Sequence, residues 1–263
     1  MDLTDKWDAL VASLRGLGSA AVAFSGGADS ALLLAAAKEA LGERCLAVTA
    51  RSPFFPAREA AEAAAACRAL GAEQAVLDID TLAVPGVVSN PPERCYLCKA
   101  AVLGAVRAAA AARGFAFVVE GSNADDAADY RPGARAVREL GVRSPLLEAG
   151  LTKAEIRALS RARGLPTAEK PAMACLASRF PTGTALTAQG LRRVEAAEDW
   201  LGGLGLTQRR VRVHGDLARI EVLPAEAPAL YARAAEADAA LRALGFRYVA
   251  VDLGGYKMGN MNG

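Results

Sequence analysis

Residues 21–34 read AVAFSGGADSALLL. The apolar run SAAVAF (19–24) suits a strand, six small residues follow as Ser25, Gly26, Gly27, Ala28, Asp29 and Ser30, and a leucine- and alanine-rich helical pattern begins at about 30. A strand, a tight turn and a helix in that order leave free backbone N–H groups at a helix N-terminus, where the dipole favours an anion. Phosphate suits such a loop. The stretch lacks the lysine of GxxxxGK[ST] and the spacing of GxGxxG. A glycine turn capped by a serine would account for the loop in isolation, but the surrounding pattern points to phosphate.

Outward from this stretch, CLAVTA (45–50), a helix from about 56, and QAVLDI (74–79) continue a βαβαβ rhythm. That rhythm predicts an α/β fold, a doubly wound parallel sheet with helices on both faces. A helix over about 97–113 leads to a further strand FAFVV (115–119), and LTKAEIRALSRARG (151–164) reads as a helix with a Thr152/Glu155 capping box and a stop at Gly164. Residues 170–187 hold prolines, glycines and threonines without a sustained period, which marks a functional loop and a domain boundary. Beyond it the pattern predicts a helix (about 187–203), a hairpin of RRVRVH and LARIEV (209–222), a helix (about 224–244) and the strand YVAVDL (248–253). The expected division is 1–170 and 171–263, the second part a small C-terminal α+β domain.

The 263 residues carry 31 Lys+Arg against 29 Asp+Glu, and no long basic run offers a footprint for nucleic acid or membrane. The N-terminus MDLTDKWDALVASLRGL is amphipathic and acidic rather than signal-like, and no apolar run approaches the roughly 20 residues of a membrane span. Five cysteines, an odd number, suit reduced thiols in a cytoplasm. Cys45 and Cys67 have apolar neighbours and read as buried structural thiols. Cys95 and Cys98, in NPPERCYLCKA (90–100), form a CxxC that by itself could be half a metal site or a redox pair.

The loop SGGADS resembles the pyrophosphate-binding loop of the N-type ATP pyrophosphatases (PP-loop enzymes), whose domain is adenine nucleotide alpha hydrolase-like. The resemblance extends along the chain: EGSNADD (120–126), the stretch from SPLLEAGLTK (144–153) through ACLASRFPTG (174–183), RVRVHGDLARIEV (210–222) and GYKMGNMN (255–262) look like the LarE-type sulfur transferases. That family acts on pyridinium-3,5-biscarboxylic acid mononucleotide and installs sulfur on its carboxylates to make the pincer ligand for nickel in lactate racemase. The resemblance implies ATP and Mg²⁺ as cofactors, with Ser25, Gly26, Gly27, Asp29 and Ser30 at the pyrophosphate and Asp29 on the metal. Thr49, Arg51 and Ser52 would line the adenosine side, with Glu120, Asn123, Asp125 and Asp126 at the same sheet edge, although an acidic turn with helix caps would also explain the last four. Cys175, Arg179 and Asp29 would serve catalysis, and Arg210 and Arg212 would hold the substrate's phosphate. Strand alternation puts Arg210, Arg212 and His214 on one face, which could equally be the polar side of a hairpin.

In the sacrificial members of the family the cysteine of ACLASR, here Cys175, donates its own sulfur. Those members lack the CxxC pair, which this chain has. The resemblance therefore implies a three-cysteine subgroup in which Cys95, Cys98 and Cys175 hold a [4Fe-4S] cluster whose open iron carries sulfide from a sulfur donor. Zinc with His214, or free thiols, are the other readings of the cysteines. tRNA thiolation and a non-catalytic nucleotide or cluster sensor stand as alternative functions. A homo-oligomer is expected from the resemblance alone.

Overall fold

The computed structural model describes residues 2–128, 132–171 and 174–257. The chain divides into two compact units: residues 1–84 with 93–173, and residues 85–92 with 174–263.

The first unit is built on four parallel strands, β1 (Ala20–Ala23), β2 (Cys45–Arg51), β3 (Glu73–Asp78) and β4 (Phe117–Val119), in the order β3-β2-β1-β4. Its helices are α1 (Leu3–Arg15), α2 (Ala28–Leu41), α3 (Ala57–Ala69), α4 (Arg94–Ala112), α5 (Gly133–Glu139), α6 (Pro145–Glu148) and α7 (Lys153–Ala162). Because successive strand residues point to opposite faces, Ala20, Val22, Cys45 and Ala47 join one core with Trp7, Leu10, Leu32 and Ile156, while Ala21, Leu46, Val48 and Val118 join another with Leu103, Val106, Ala110 and Val137. Helices on both faces of a parallel sheet are what the β-alternation predicts. The order turns back between β1 and β4, so the crevice at their carboxyl ends is the topological switch point where such sheets bind ligands.

The Thr152/Glu155 capping box starts α7 as expected: the Thr152 side chain accepts from the Glu155 N–H, and the Glu155 carboxylate accepts from the Thr152 N–H at 2.9 Å. Gly164, at φ +66°, lies just past the helix. The helix expected from about 97 begins at Arg94, which puts both cysteines of the CxxC within its first two turns. By length and composition α4 is long and apolar enough to cross a membrane, against the sequence expectation. Much of its apolar character comes from alanine; Lys99 and Arg107 interrupt it, and Leu103, Val106 and Ala110 pack on the sheet.

The second unit holds α8 (Ala188–Gly202), β5 (Arg209–His214), β6 (Leu217–Val222), α9 (Ala227–Ala232), α10 (Ala234–Ala243) and β7 (Tyr248–Val251). β5 and β6 are antiparallel, and β7 adds parallel to β6. The single helix expected over 224–244 is interrupted at Arg233, between α9 and α10. Residues 85–92 group with this unit for a hydrogen-bonding reason invisible in sequence. Asn90, at φ +52°, donates to the Pro181 carbonyl (2.8 Å) and accepts from the Gly183 N–H (2.8 Å), and Leu186 N–H donates to the Val88 carbonyl (2.8 Å).

Candidate active site

At the end of β1 the Phe24 N–H is fixed to the Val48 carbonyl (2.9 Å), and the chain turns through Ser25–Gly27 into α2. Gly26 must be glycine: its φ is +74°, and a Cβ there would lie 3.0–3.2 Å from the Cβ, Cα and N of Ala63 on α3. The Ser25 and Ser30 hydroxyls lie 3.1 Å apart, and Ser30 Oγ also reaches the Gly27 carbonyl (3.1 Å). No side chain caps α2 at Gly27. Its first N–H groups and its dipole therefore face the switch point as an anion site.

Asp29, in the first turn of α2, has two unlike oxygens. One pairs with the Lys153 ammonium, while Oδ1 is buried without a hydrogen-bond partner. A buried, unsatisfied carboxylate oxygen at a phosphate loop fits a hard cation. Lys153 comes from the first position of α7, so the cation that the glycine loop lacks in sequence arrives from a helix 124 residues away. A second lysine braces the loop from below: Lys170 donates to the Gly26 carbonyl (3.1 Å) and pairs with Glu59 and Glu62 (2.6 Å each).

The loop after β4 closes the other side of the crevice. A Cβ on Gly121 would sit 3.2 Å from Ser30 N, so the two loops touch backbone to backbone. Asn123 is buried and accepts from the Asp125 N–H (3.0 Å), while Asp126 accepts from the Asn123 N–H (3.0 Å) and Asp125 from the Lys153 N–H (2.8 Å). This acidic turn caps itself and docks on the start of α7. Glu120 has both oxygens committed to protein: Oε1 accepts from Ser122 N–H (3.0 Å) and Ser144 Oγ (2.6 Å), and Oε2 from Lys99 Nζ (2.9 Å). Burial opposes its ionisation, but Lys99 and the two serine bonds prevail and hold the carboxyl below its ordinary range.

Thr49, Arg51 and Ser52 sit at the end of β2 and are also engaged. Thr49 is buried and accepts from Gln74 (2.8 Å), Arg51 pairs at the surface with Asp78 (2.7 Å), and Ser52 Oγ accepts from the Phe54 N–H (3.1 Å).

Arg210 and Arg212 are buried, not on a solvated hairpin face. Arg179 is 0% exposed and forks onto Glu198 at 2.7 and 2.9 Å. Its remaining nitrogen donates to the carbonyls of Ala174 (2.8 Å) and Cys175 (3.2 Å). Arg212 pairs with buried Glu221 (2.9 Å) and donates to the Ser178 carbonyl (3.0 Å). Together they fix the backbone of the turn Leu176–Arg179, which Cys175 opens. Arg210 is also buried; desolvation, then the Arg179 charge, pull its guanidinium down to about 10. His214 is exposed at the end of β5, its pKa lowered by partial burial and by Arg219 and Arg212.

None of the five cysteines is in a disulfide. Burial pushes Cys45 up to about 12 and Cys67 up to about 11, so both are inert core thiols. Cys95 is exposed and Cys98 half-buried, three residues apart on one face of α4; Cys175 is half-buried in the second unit. Among the described residues no three His, Cys, Asp or Glu side chains are gathered to hold a metal ion. The family-like segment GYKMGNMN lies outside the described residues from 258 onward, as do residues 172 and 173 of the loop before Cys175. The sequence reading passed over Lys99, Lys153, Lys170, Glu198 and Glu221. Of these only Lys153 carried a local signal, since the capping box fixes it as the first residue of a helix.

The parallel sheet, the uncapped helix start at its switch point and the half-satisfied Asp29 beside Lys153 define an α/β protein with a polar crevice at its switch point. Along 99% of its length the chain is 40% identical, over 261 residues, to the pyridinium-3,5-bisthiocarboxylic acid mononucleotide synthase of Lactiplantibacillus plantarum, of which it covers 95%. The chain belongs to the family of that synthase. An uncharacterized protein of Synechocystis sp. is likewise 40% identical over 94% of this chain and 92% of its own, and one of Methanocaldococcus jannaschii is 29% identical over 76% of each. No family model matches the chain.

Proposed function

We propose that this protein is an ATP-dependent sulfur transferase that converts carboxylates of pyridinium-3,5-biscarboxylic acid mononucleotide to thiocarboxylates. The observation that carries the reading is Asp29, with one oxygen on Lys153 and the other buried and unsatisfied beside an uncapped helix start. In a chain similar throughout to a named thiocarboxylate synthase, that arrangement suits the pyrophosphate of ATP, and the loop is PP-loop-like.

A carboxylate oxygen is a poor leaving group, so the acid must be activated before sulfur can enter. A substrate carboxylate attacks the α-phosphorus of ATP, the bond to the bridging oxygen breaks, and pyrophosphate departs. Ser25, Gly26, Gly27 and Ser30 offer it backbone N–H groups and hydroxyls, and Lys153 offers a positive charge. Mg²⁺, when bound, would neutralise phosphate charge, and Asp29 would hold it. A sulfur nucleophile then attacks the acyl carbon of the adenylate and AMP leaves. Arg210 and Arg212 are proposed near the substrate's phosphate, and Arg179 acts through the turn that carries Cys175. Thr49, Arg51 and Ser52 are proposed at the adenosine side, and Asn123 and Asp126 as supports of the crevice.

The finer part of the proposal concerns sulfur. Three thiolates from Cys95, Cys98 and Cys175 would suit a [4Fe-4S] cluster with one iron open to sulfide, although the described residues do not gather three such ligands. Unbridged thiols suit a reducing cytoplasm, and assembly into a homo-oligomer completes the reading. The test is pyrophosphate release from Mg-ATP with and without the biscarboxylate mononucleotide, with mass analysis of the product. Release that depends on the mononucleotide, together with a sulfur-bearing product, is expected; release without substrate dependence, or none, overturns the reading. Iron and acid-labile sulfide in anaerobically purified protein test the cluster.

A further inference from the structure

The cysteine helix α4 and the phosphate loop belong to different parts of the first unit, and an ion pair between a half-buried lysine and a buried glutamate joins them. Lys99 lies in α4 one residue after Cys98 and four after Cys95. Its ammonium meets Glu120 at 2.9 Å, and the Glu120 side chain is only 8% exposed. The next residue, Gly121, is the one packed against the backbone of Asp29 and Ser30. On its outer side the same helix turn is braced by α5. A Cβ on Gly133 would lie 3.0 Å from Lys99 Cδ, Tyr96 donates to Glu139 (2.6 Å), and Arg135 stacks on the Tyr96 ring at 4.2 Å.

Only the Glu120 carboxylate is buried, Lys99 being 33% exposed, and the pair is a poor way to gain stability, because the carboxylate's loss of hydration offsets most of the attraction. What it supplies is direction, since a carboxylate held by the Ser122 N–H and the Ser144 hydroxyl presents its other oxygen to Lys99 in one place. We propose that Lys99 and Glu120 are positioning residues that set the Cys95–Cys98 turn relative to the phosphate loop, so that the sulfur-bearing thiols and the activated carboxylate share one frame. Neither residue touches the nucleotide in this role. The inference rests on the sulfur-transfer reading for its consequence but not for its geometry.

The test uses the full-length protein and the variants Lys99→Met, Lys99→Arg and Glu120→Gln. In ligand-free protein, alkylation of Cys95 and Cys98 by iodoacetamide, mapped by mass spectrometry, is expected to change about fivefold or more in Lys99→Met and Glu120→Gln, the size of an ordinary coupling. Alkylation of Cys175 stays as in the wild type, and Lys99→Arg restores most of the wild-type rate at the pair. In turnover, Lys99→Met lowers kcat for sulfur transfer while KM for ATP stays within about twofold. Unchanged thiol rates in both variants overturn the proposal, as does a rise in KM for ATP that matches the loss of rate, which would make Lys99 a nucleotide ligand. If wild-type protein released no substrate-dependent pyrophosphate, the functional reading would fall while the alkylation result still decided the positioning role. A circular dichroism melt within a few degrees of wild type separates either result from misfolding.

Discussion

The two charged regions of this molecule are built on opposite plans. Around the phosphate loop of the first unit, charge is partly exposed and incompletely satisfied: Lys153 and Asp29 pair at 35% and 24% side-chain exposure, and one aspartate oxygen has no donor. In the second unit, Arg179 and Glu198 are 0% and 1% exposed and exchange two hydrogen bonds. Charge held in reserve can meet a ligand; charge consumed by partners can only shape the chain. The contrast separates residues that sequence reading grouped together as catalytic, and it predicts opposite responses to substitution.

The largest effect is expected in the second unit. Arg179→Met strips buried Glu198 of its bidentate partner and should cost about 3–5 kcal/mol in urea unfolding; a loss under about 1 kcal/mol, the range of exposed pairs, would erase the distinction. In the first unit Asp29→Asn should lower substrate-dependent pyrophosphate release about 10²–10³-fold, while stability moves by no more than about 1 kcal/mol because the Lys153 pair is partly exposed. A large loss of stability in Asp29→Asn would mean that this charge, too, is structural. Gly26→Ala should cost about 1–2 kcal/mol for its left-handed backbone, more where Ala63 cannot yield, and should weaken nucleotide binding, measured by calorimetry with Mg-ATP.

The smallest effect is in the acid limb of stability. Burial opposes ionisation of Glu198, but the Arg179 pairing and the Val211 N–H (3.0 Å) lower its pKa below the ordinary 4.5. A depressed folded pKa means the unfolded chain binds the proton first. The stability from this carboxylate is therefore fully present above about pH 4.5 and is lost as pH falls through the lower folded value. Glu198→Gln should flatten that slope in melting curves taken from pH 6 downward, and an unaltered slope would assign it to other groups, Glu120 first.

The parallel α/β architecture was legible because strand and helix periods alternate without ambiguity from Ala20 to Val119, and the capping box at Thr152 and the stop at Gly164 followed from local chemistry. The same reading put Ser25–Ser30 at a helix start, where they are. It did not foresee that residues 85–92 join the second unit, because Asn90 is fixed by hydrogen bonds to Pro181 and Gly183, about 90 positions away. Alternation along β5 put Arg210 and Arg212 on one face, but only the glutamates of α8 and β6 decide that this face is buried.

By itself, then, the sequence determined the periodic elements, the glycine that must take a left-handed turn and the residue types able to bind phosphate and carry sulfur. These are properties of neighbours along the chain, governed by sterics and spacing. Tertiary structure alone decided which lysine serves Asp29, which oxygen it leaves unsatisfied and which arginines are spent on buried glutamates. Charge pairing acts through space, and Lys153 stands 124 positions from the Asp29 it serves.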